Sequence, residues 1–99
     1  MSKTFTAQNP ATGQSFGPEI IEWDQTQTNN AIKAVDSVKA KLAATDPAKR
    51  AALLNAIADS IEAQKDKLAE TAHQETALPM PRLTGEVMRT VIQIRAFAT

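Results

Sequence analysis

No cysteine occurs among these 99 residues, so disulfides, thiolate metal sites and a cysteine nucleophile are excluded within them. Aromatic residues are nearly as scarce: Phe5, Phe16, Trp23 and Phe97 are the whole supply. A core must therefore be assembled from alanine, leucine, isoleucine and valine. Neither sign of charge dominates, because eleven lysines and arginines balance eleven aspartates and glutamates. That balance removes the long-range field of a nucleic-acid or anionic-membrane binder. Basic residues do not cluster either; Lys49-Arg50 is the nearest approach to a patch. The longest unbroken apolar run, Ala51-Ala52-Leu53-Leu54, is far too short to cross a bilayer. Met1-Ser2-Lys3-Thr4-Phe5 lacks the apolar stretch of a secretory signal. The expectation is a cytoplasmic chain with neither nucleic acid nor membrane as partner.

A chain of this length makes one small domain and buries about 65% of the surface its unfolded form exposes. A modest core is within reach, but a deep cleft between two domains is not. With 42% hydrophobic and 22% charged residues, the composition is that of a folded chain rather than a disordered one.

Residues 1 to 25 read as a β-hairpin arm. Thr4-Phe5-Thr6-Ala7 alternates polar and apolar as a half-buried strand does. Asn9-Pro10-Ala11-Thr12-Gly13 is a turn, with Pro10 presetting φ and Gly13 tolerating a positive φ. Ser15-Phe16 and, past Gly17-Pro18, Ile20-Ile21-Glu22-Trp23 read as separate extended pieces. An isolated hairpin is marginal in water, so the arm should lean on something else.

Residues 26 to 99 read as helices, about four of them. Thr26 or Thr28 is the expected cap of the first. Ala31, Val35, Val38 and Leu42 then form one apolar stripe. Thr45-Asp46-Pro47 ends it and starts the next, with Asp46 as N-cap and Pro47 as first helical residue. So short a connection predicts that the first two helices pack antiparallel. The second helix carries Leu54, Ile57, Ala58 and Ile61, and a break at Gln64-Lys65-Asp66 precedes a third that should bury Leu68 and Ala72. Pro79 and Pro81 interrupt. A fourth helix follows with Leu83, Val87, Val91, Ile94 and Ala98 on one stripe. Gly85 lies inside it at a cost of up to ~1 kcal/mol relative to alanine, which predicts close approach by another backbone or a ligand. The stripe is still running at Thr99, the pattern expected of a truncated chain.

Few residues offer chemistry. His73 is the single histidine, and Glu70 three residues before it is its nearest partner for a metal. With no second pair of ligands in view, a solvated or locally bonded imidazole is the expectation. Asp59 with Glu62 and Glu70 with Glu75 could serve acid–base catalysis, but on helices this polar they read as solvent-facing charge. Gly13, Gly17 and Gly85 are too far apart to form a phosphate loop.

Several stretches together resemble one family. Asn9-Pro10-Ala11-Thr12-Gly13 is similar to a turn near the start of aldehyde dehydrogenases. The run Lys49-Arg50-Ala51-Ala52-Leu53-Leu54-Asn55-Ala56-Ile57-Ala58-Asp59-Ser60-Ile61-Glu62 resembles their second N-terminal helix. Glu75-Thr76-Ala77-Leu78-Pro79 stands where the family usually has Glu-Thr-Gly-x-Pro. The alanine at 77, followed by Arg82-Leu83-Thr84-Gly85-Glu86 and Arg89-Thr90, resembles a subgroup of NADP-preferring fatty-aldehyde and α-ketoglutarate-semialdehyde dehydrogenases. The likeness runs through nearly the whole chain, in order.

The resemblance implies a mainly α piece of the α/β aldehyde dehydrogenase fold: the arm, then the opening helices of an incomplete coenzyme-binding domain. It implies oxidation of an aldehyde to a carboxylate with NADP or NAD in a full-length enzyme. There a cysteine thiolate attacks the aldehyde, hydride passes to the nicotinamide, and a glutamate-activated water hydrolyses the thioester. That cysteine is absent here and the nicotinamide-binding β-α units would lie beyond Thr99, so this chain should bind no cofactor and be inactive alone. Its expected partner is the remainder of a dehydrogenase polypeptide, with a homo-oligomer as a further outcome. In the family the helix after the Pro79 position lines the aldehyde tunnel, which makes Gly85 and Arg89 the candidate substrate-contacting residues. Gly85 would leave room, and Arg89 would offer a cation to a distal carboxylate. The alternative is a free-standing helical oligomerisation or adaptor module, with Arg89 an ordinary surface or ion-paired arginine.

Overall fold

Two strands open the chain, and the turn between them is built by its own side chains. The computed structural model of the protein describes residues 3–99. Strand β1, Thr4–Gln8, pairs antiparallel with β2, Ser15–Ile21. Between them the Asn9 side chain accepts from the Ala11 amide at 2.9 Å, while its carbonyl accepts from Gly13 at 2.7 Å. Gly13 takes φ +73°, in the left-handed region open to glycine. The expected break at Gly17-Pro18 is instead a bulge within one continuous strand. Ala7 faces Phe16 and Phe5 faces Ile20, so β2 spends extra residues around Gly17, whose φ is +77°. Glycine at the positive-φ position and a proline beside it are what a bulge accommodates and a regular ladder does not.

Helix α1, Gln25–Ala43, begins one residue before the expected threonine caps. Asp24 is the cap: its carboxylate accepts from the Gln27 amide at 2.8 Å, and the Gln27 side chain accepts from the Asp24 amide at 2.9 Å. This reciprocal box satisfies two otherwise unpaired N–H groups, where a threonine at 26 or 28 would satisfy one. Helix α2, Pro47–Ala63, starts as its sequence dictates, with Asp46 accepting from Ala48 at 2.7 Å and Pro47 in the first turn. A single residue, Gln64, separates it from α3, Lys65–Thr76. The last helix, α4, spans Met80–Ala98. Pro81 is inside its first turn rather than an interruption, because an amide there would have no intrahelical partner to lose.

The antiparallel pairing expected of α1 and α2 is not formed. Helix α2 lies against α4, α3 also lies against α4, and β1 touches α3, while α1 projects without lying along α2. Its stripe is accordingly almost bare: Val35, Val38 and Leu42 are more than half exposed, as is Ile32 beside them, Ala31 is half-buried, and α1 fully buries no residue. The core is correspondingly thin, consisting of Ala58, Ala69, Leu83 and Val91. In α3 the buried position is Ala69 rather than Leu68, which stays exposed; an alanine lets α3 and α4 approach closely where a leucine would hold them apart. The α4 stripe behaves as its periodicity predicts, with Leu83 and Val91 buried and Val87, Ile94 and Ala98 partly so.

The whole has principal extents of 48 × 40 × 15 Å, a slab rather than a ball. Its radius of gyration is 17.6 Å, against about 13 Å for a close-packed chain of this length. Its accessible surface is 7790 Å², where a compact monomer of the same mass exposes roughly 5500 Å².

Candidate substrate-access face and its supports

Helix α4 carries the candidate residues. Gly85 and Arg89 are one turn apart and both exposed, so they share one outward face. A methyl group on Gly85 would meet nothing within 4 Å, so the close approach predicted there is made by no part of this chain. The Arg89 guanidinium lies 3.2 Å from the Glu86 carboxylate, an ion pair within one turn that leaves both side chains largely in solvent. Below Arg89 an open concavity of about 280 Å³ is lined by Arg89, Thr90, Gln93 and Ile94. Gly85 is not part of that lining. The Thr90 hydroxyl is turned inward, donating to the Glu86 carbonyl at 3.0 Å.

How α4 is presented depends on the corner before it. Helix α3 ends at Ala77, which takes the left-handed conformation, φ 61° and ψ 13°. Its amide donates to the His73 carbonyl at 2.8 Å, and the His73 ring nitrogen Nδ1 donates to the Leu78 carbonyl at 2.6 Å. The imidazole therefore closes the helix end, as the locally bonded reading anticipates. Among the described residues no group of three histidine, aspartate or glutamate side chains converges.

A second support joins α2 to α4, and the reading of Asp59 and Glu62 as solvent-facing charge does not anticipate it. Asp59 and Glu62, expected to be solvent-facing charge, both accept from one terminal nitrogen of Arg95 in α4, at 2.8 and 2.9 Å. Hydrogen bonds to Asp59 first and Glu62 second hold the guanidinium above its ordinary pKa. One signal was available. Asp59 and Glu62 each follow a residue of the α2 apolar stripe, Ala58 and Ile61, and Arg95 follows Ile94 on α4. Charges of opposite sign that border two facing stripes are placed to meet at their rim.

The starts of α1, α2 and α4 do not fit a dinucleotide's phosphates. A dinucleotide's phosphates sit where a glycine-rich turn lets free backbone N–H groups at a helix start come close. Here α1 and α2 open on the carboxylates of Asp24 and Asp46, each of which already occupies one of those donors and repels anions. Helix α4 opens on Pro79 and Pro81, which have no N–H to offer.

Comparison with known proteins places this architecture. Over 51 residues, 52% of the chain and 10% of the relative, it is 61% identical to alpha-ketoglutaric semialdehyde dehydrogenase 2 of Azospirillum brasilense. It is 40% identical over 87 residues, 88% of the chain, to alpha-ketoglutaric semialdehyde dehydrogenase of Acinetobacter baylyi, covering 16% of that protein. The chain thus spans between a tenth and a sixth of the length of these relatives. The aldehyde dehydrogenase family model matches residues 1–99, every residue of the chain. A hairpin arm, the helices behind it and this unbroken match have one meaning: the chain belongs to the aldehyde dehydrogenase family.

Proposed function

We propose that this chain is the opening segment of an NAD(P)-dependent dehydrogenase for semialdehyde acids, acting in the cytoplasm as a scaffold with no reacting group of its own. The observation that carries the reading is the joint one of a full-length family match and an open slab with apolar helix faces uncovered. A chain with this thin a core supports structure supplied elsewhere, and the remainder of the dehydrogenase polypeptide is the partner that fits. The substrate class follows from the relatives, whose names specify α-ketoglutaric semialdehyde. Such a substrate carries a carboxylate at the end distant from the aldehyde. The subgroup resemblance favours NADP as coenzyme, and comparison of both coenzymes on the complete enzyme tests that preference.

On α4, Gly85 leaves space in the aldehyde tunnel and Arg89 offers a cation to the distal carboxylate. The Glu86 partner does not stand in the way, since exposed pairs of this kind contribute only about 0.3–0.5 kcal/mol and yield easily. A bidentate carboxylate on a desolvated guanidinium is the stronger bond. In the complete enzyme, Arg89→Ala raises KM for carboxylate-bearing aldehydes roughly tenfold or more, the worth of one charge-assisted hydrogen bond, and raises it less for alkyl aldehydes. Equal changes for the two classes would remove Arg89 from the site.

A further inference from the structure

Arg95 stands outside the Gly85–Arg89 face but on the same helix. It lies six residues beyond Arg89, about 9 Å along the helix axis and roughly a third of a turn around it. Helix α2 packs on α4; the one fully buried residue of α2 is the small Ala58, and Val91 is the most buried residue of α4. Side chains this small and smooth resist separation of the helices but offer little against sliding or rolling. Among the described residues, the Arg95 fork is the sole side-chain hydrogen bond or ion pair joining α2 to α4. One guanidinium nitrogen held by carboxylates from two positions three residues apart is fixed both along the α2 axis and around it.

We propose that Arg95, clamped by Asp59 and Glu62, is a positioning residue that sets the register of α4 on α2 and thereby the location of the Arg89 cation. The inference rests on the reading of Arg89 given above. Without the guanidinium, two like charges three residues apart on α2 repel one another and turn to solvent. Helix α4 then loses its axial stop, and Arg89 moves with it. A displacement of about 1 Å of a substrate-orienting group costs up to a hundredfold in rate.

The test uses the complete enzyme and two aldehydes of equal length, one ending in a carboxylate and one in a methyl group. Arg95→Met should raise KM for the carboxylate-bearing aldehyde roughly tenfold while leaving the alkyl aldehyde within about twofold. The double variant Asp59→Asn with Glu62→Gln should reproduce this selectivity loss. Arg95→Lys should fall between, because an ammonium keeps the charge without the rigid fork. Arg95→Met should cost selectivity when Arg89 is present and none on an Arg89→Ala background, whereas a merely stabilising role would leave selectivity unchanged in both. If Arg95→Met does not fold, Asp59→Asn and Glu62→Gln taken singly carry the test, each leaving the guanidinium one carboxylate. The clamp is overturned if its variants change both aldehydes alike, or neither, while Arg89→Ala still discriminates. An Arg89→Ala substitution that changes KM equally for the two aldehydes would remove the reading of the site itself, and the clamp's role with it.

Discussion

At the scale of single residues, Ala77 is the most informative departure from the family pattern. It occupies the left-handed position that ends α3, at φ 61°, where the resembling motif has glycine. A left-handed backbone costs an L-residue roughly 1–2 kcal/mol, and glycine returns part of that gain through its freer unfolded chain. The His73 and Thr76 hydrogen bonds at this corner, to the Leu78 carbonyl and from the Leu78 amide, hold the conformation in spite of the cost. Ala77→Gly should therefore stabilise the folded chain by about 0.5–1 kcal/mol, seen as a higher denaturant midpoint at unchanged slope. A lower midpoint would mean that the strain is not where φ places it. Arg95 gives the one pH statement the residues license. Its pKa is raised by Asp59 and then Glu62, so its contribution is complete below the ordinary arginine value. That contribution disappears only as pH rises through the elevated one. No alkaline loss from this group is expected between neutrality and pH ~12.

At the scale of elements, what the sequence made legible was local. Asp46-Pro47 states a helix start in two adjacent residues, and α4 declares its buried face by periodicity alone, so both were readable without the fold. Asp24 escaped notice because its capping partner is the Gln27 side chain, and the threonines that follow offer a competing signal of similar strength. The β2 bulge escaped because Gly17-Pro18 ends a strand unless a partner strand absorbs the extra residue. The α1–α2 pairing failed for a different reason: a short connection limits distance but does not set direction, and α1 has its apolar face turned to no part of this chain. The Arg95 fork, spanning 36 and 33 residues, depends on which helices meet, and that no single window of sequence contains. Two variants test the local claims. Asp24→Ala should cost the α1 start about 1 kcal/mol, read as roughly fivefold faster amide exchange over Gln25 to Asn29. Unchanged exchange would sink the capping box. Gly85→Ala has opposite signs in its two readouts. It should strengthen α4 by up to ~1 kcal/mol, since the added methyl meets open space. In the complete enzyme it should lower kcat/KM for bulky aldehydes, and an unaltered size preference would take Gly85 out of the tunnel.

At the scale of the whole molecule, the excess of exposed surface is the deciding quantity. The chain shows about 2300 Å² more than a compact monomer of its mass, nearly three times what one partner of an ordinary complex contributes, about 800 Å². Part of the excess lies where sequence periodicity called for burial, on Val35, Val38 and Leu42 of α1, and part beside the predicted stripes, on Ile32 of α1 and on Ile92 and Phe97 of α4. Beside Ala31, Ile32 and Val35 of α1 lies a groove of about 460 Å³. An amphipathic face is selected by contact with something, and the proposed remainder of the dehydrogenase is what would cover these faces. The 99-residue polypeptide prepared alone should accordingly bind a hydrophobic dye and sediment heavier than a monomer. Substituting Val35 and Val38 with lysine should return it toward the monomeric weight, because two charges on one stripe oppose its burial against a second copy. The same polypeptide should reduce neither coenzyme in the presence of an aldehyde. A monomer that bound no dye would mean that these faces are stable in water and the scaffold reading wrong. Aldehyde-dependent coenzyme reduction would be a deeper contradiction, since the thiolate that the family chemistry requires cannot come from a chain without cysteine.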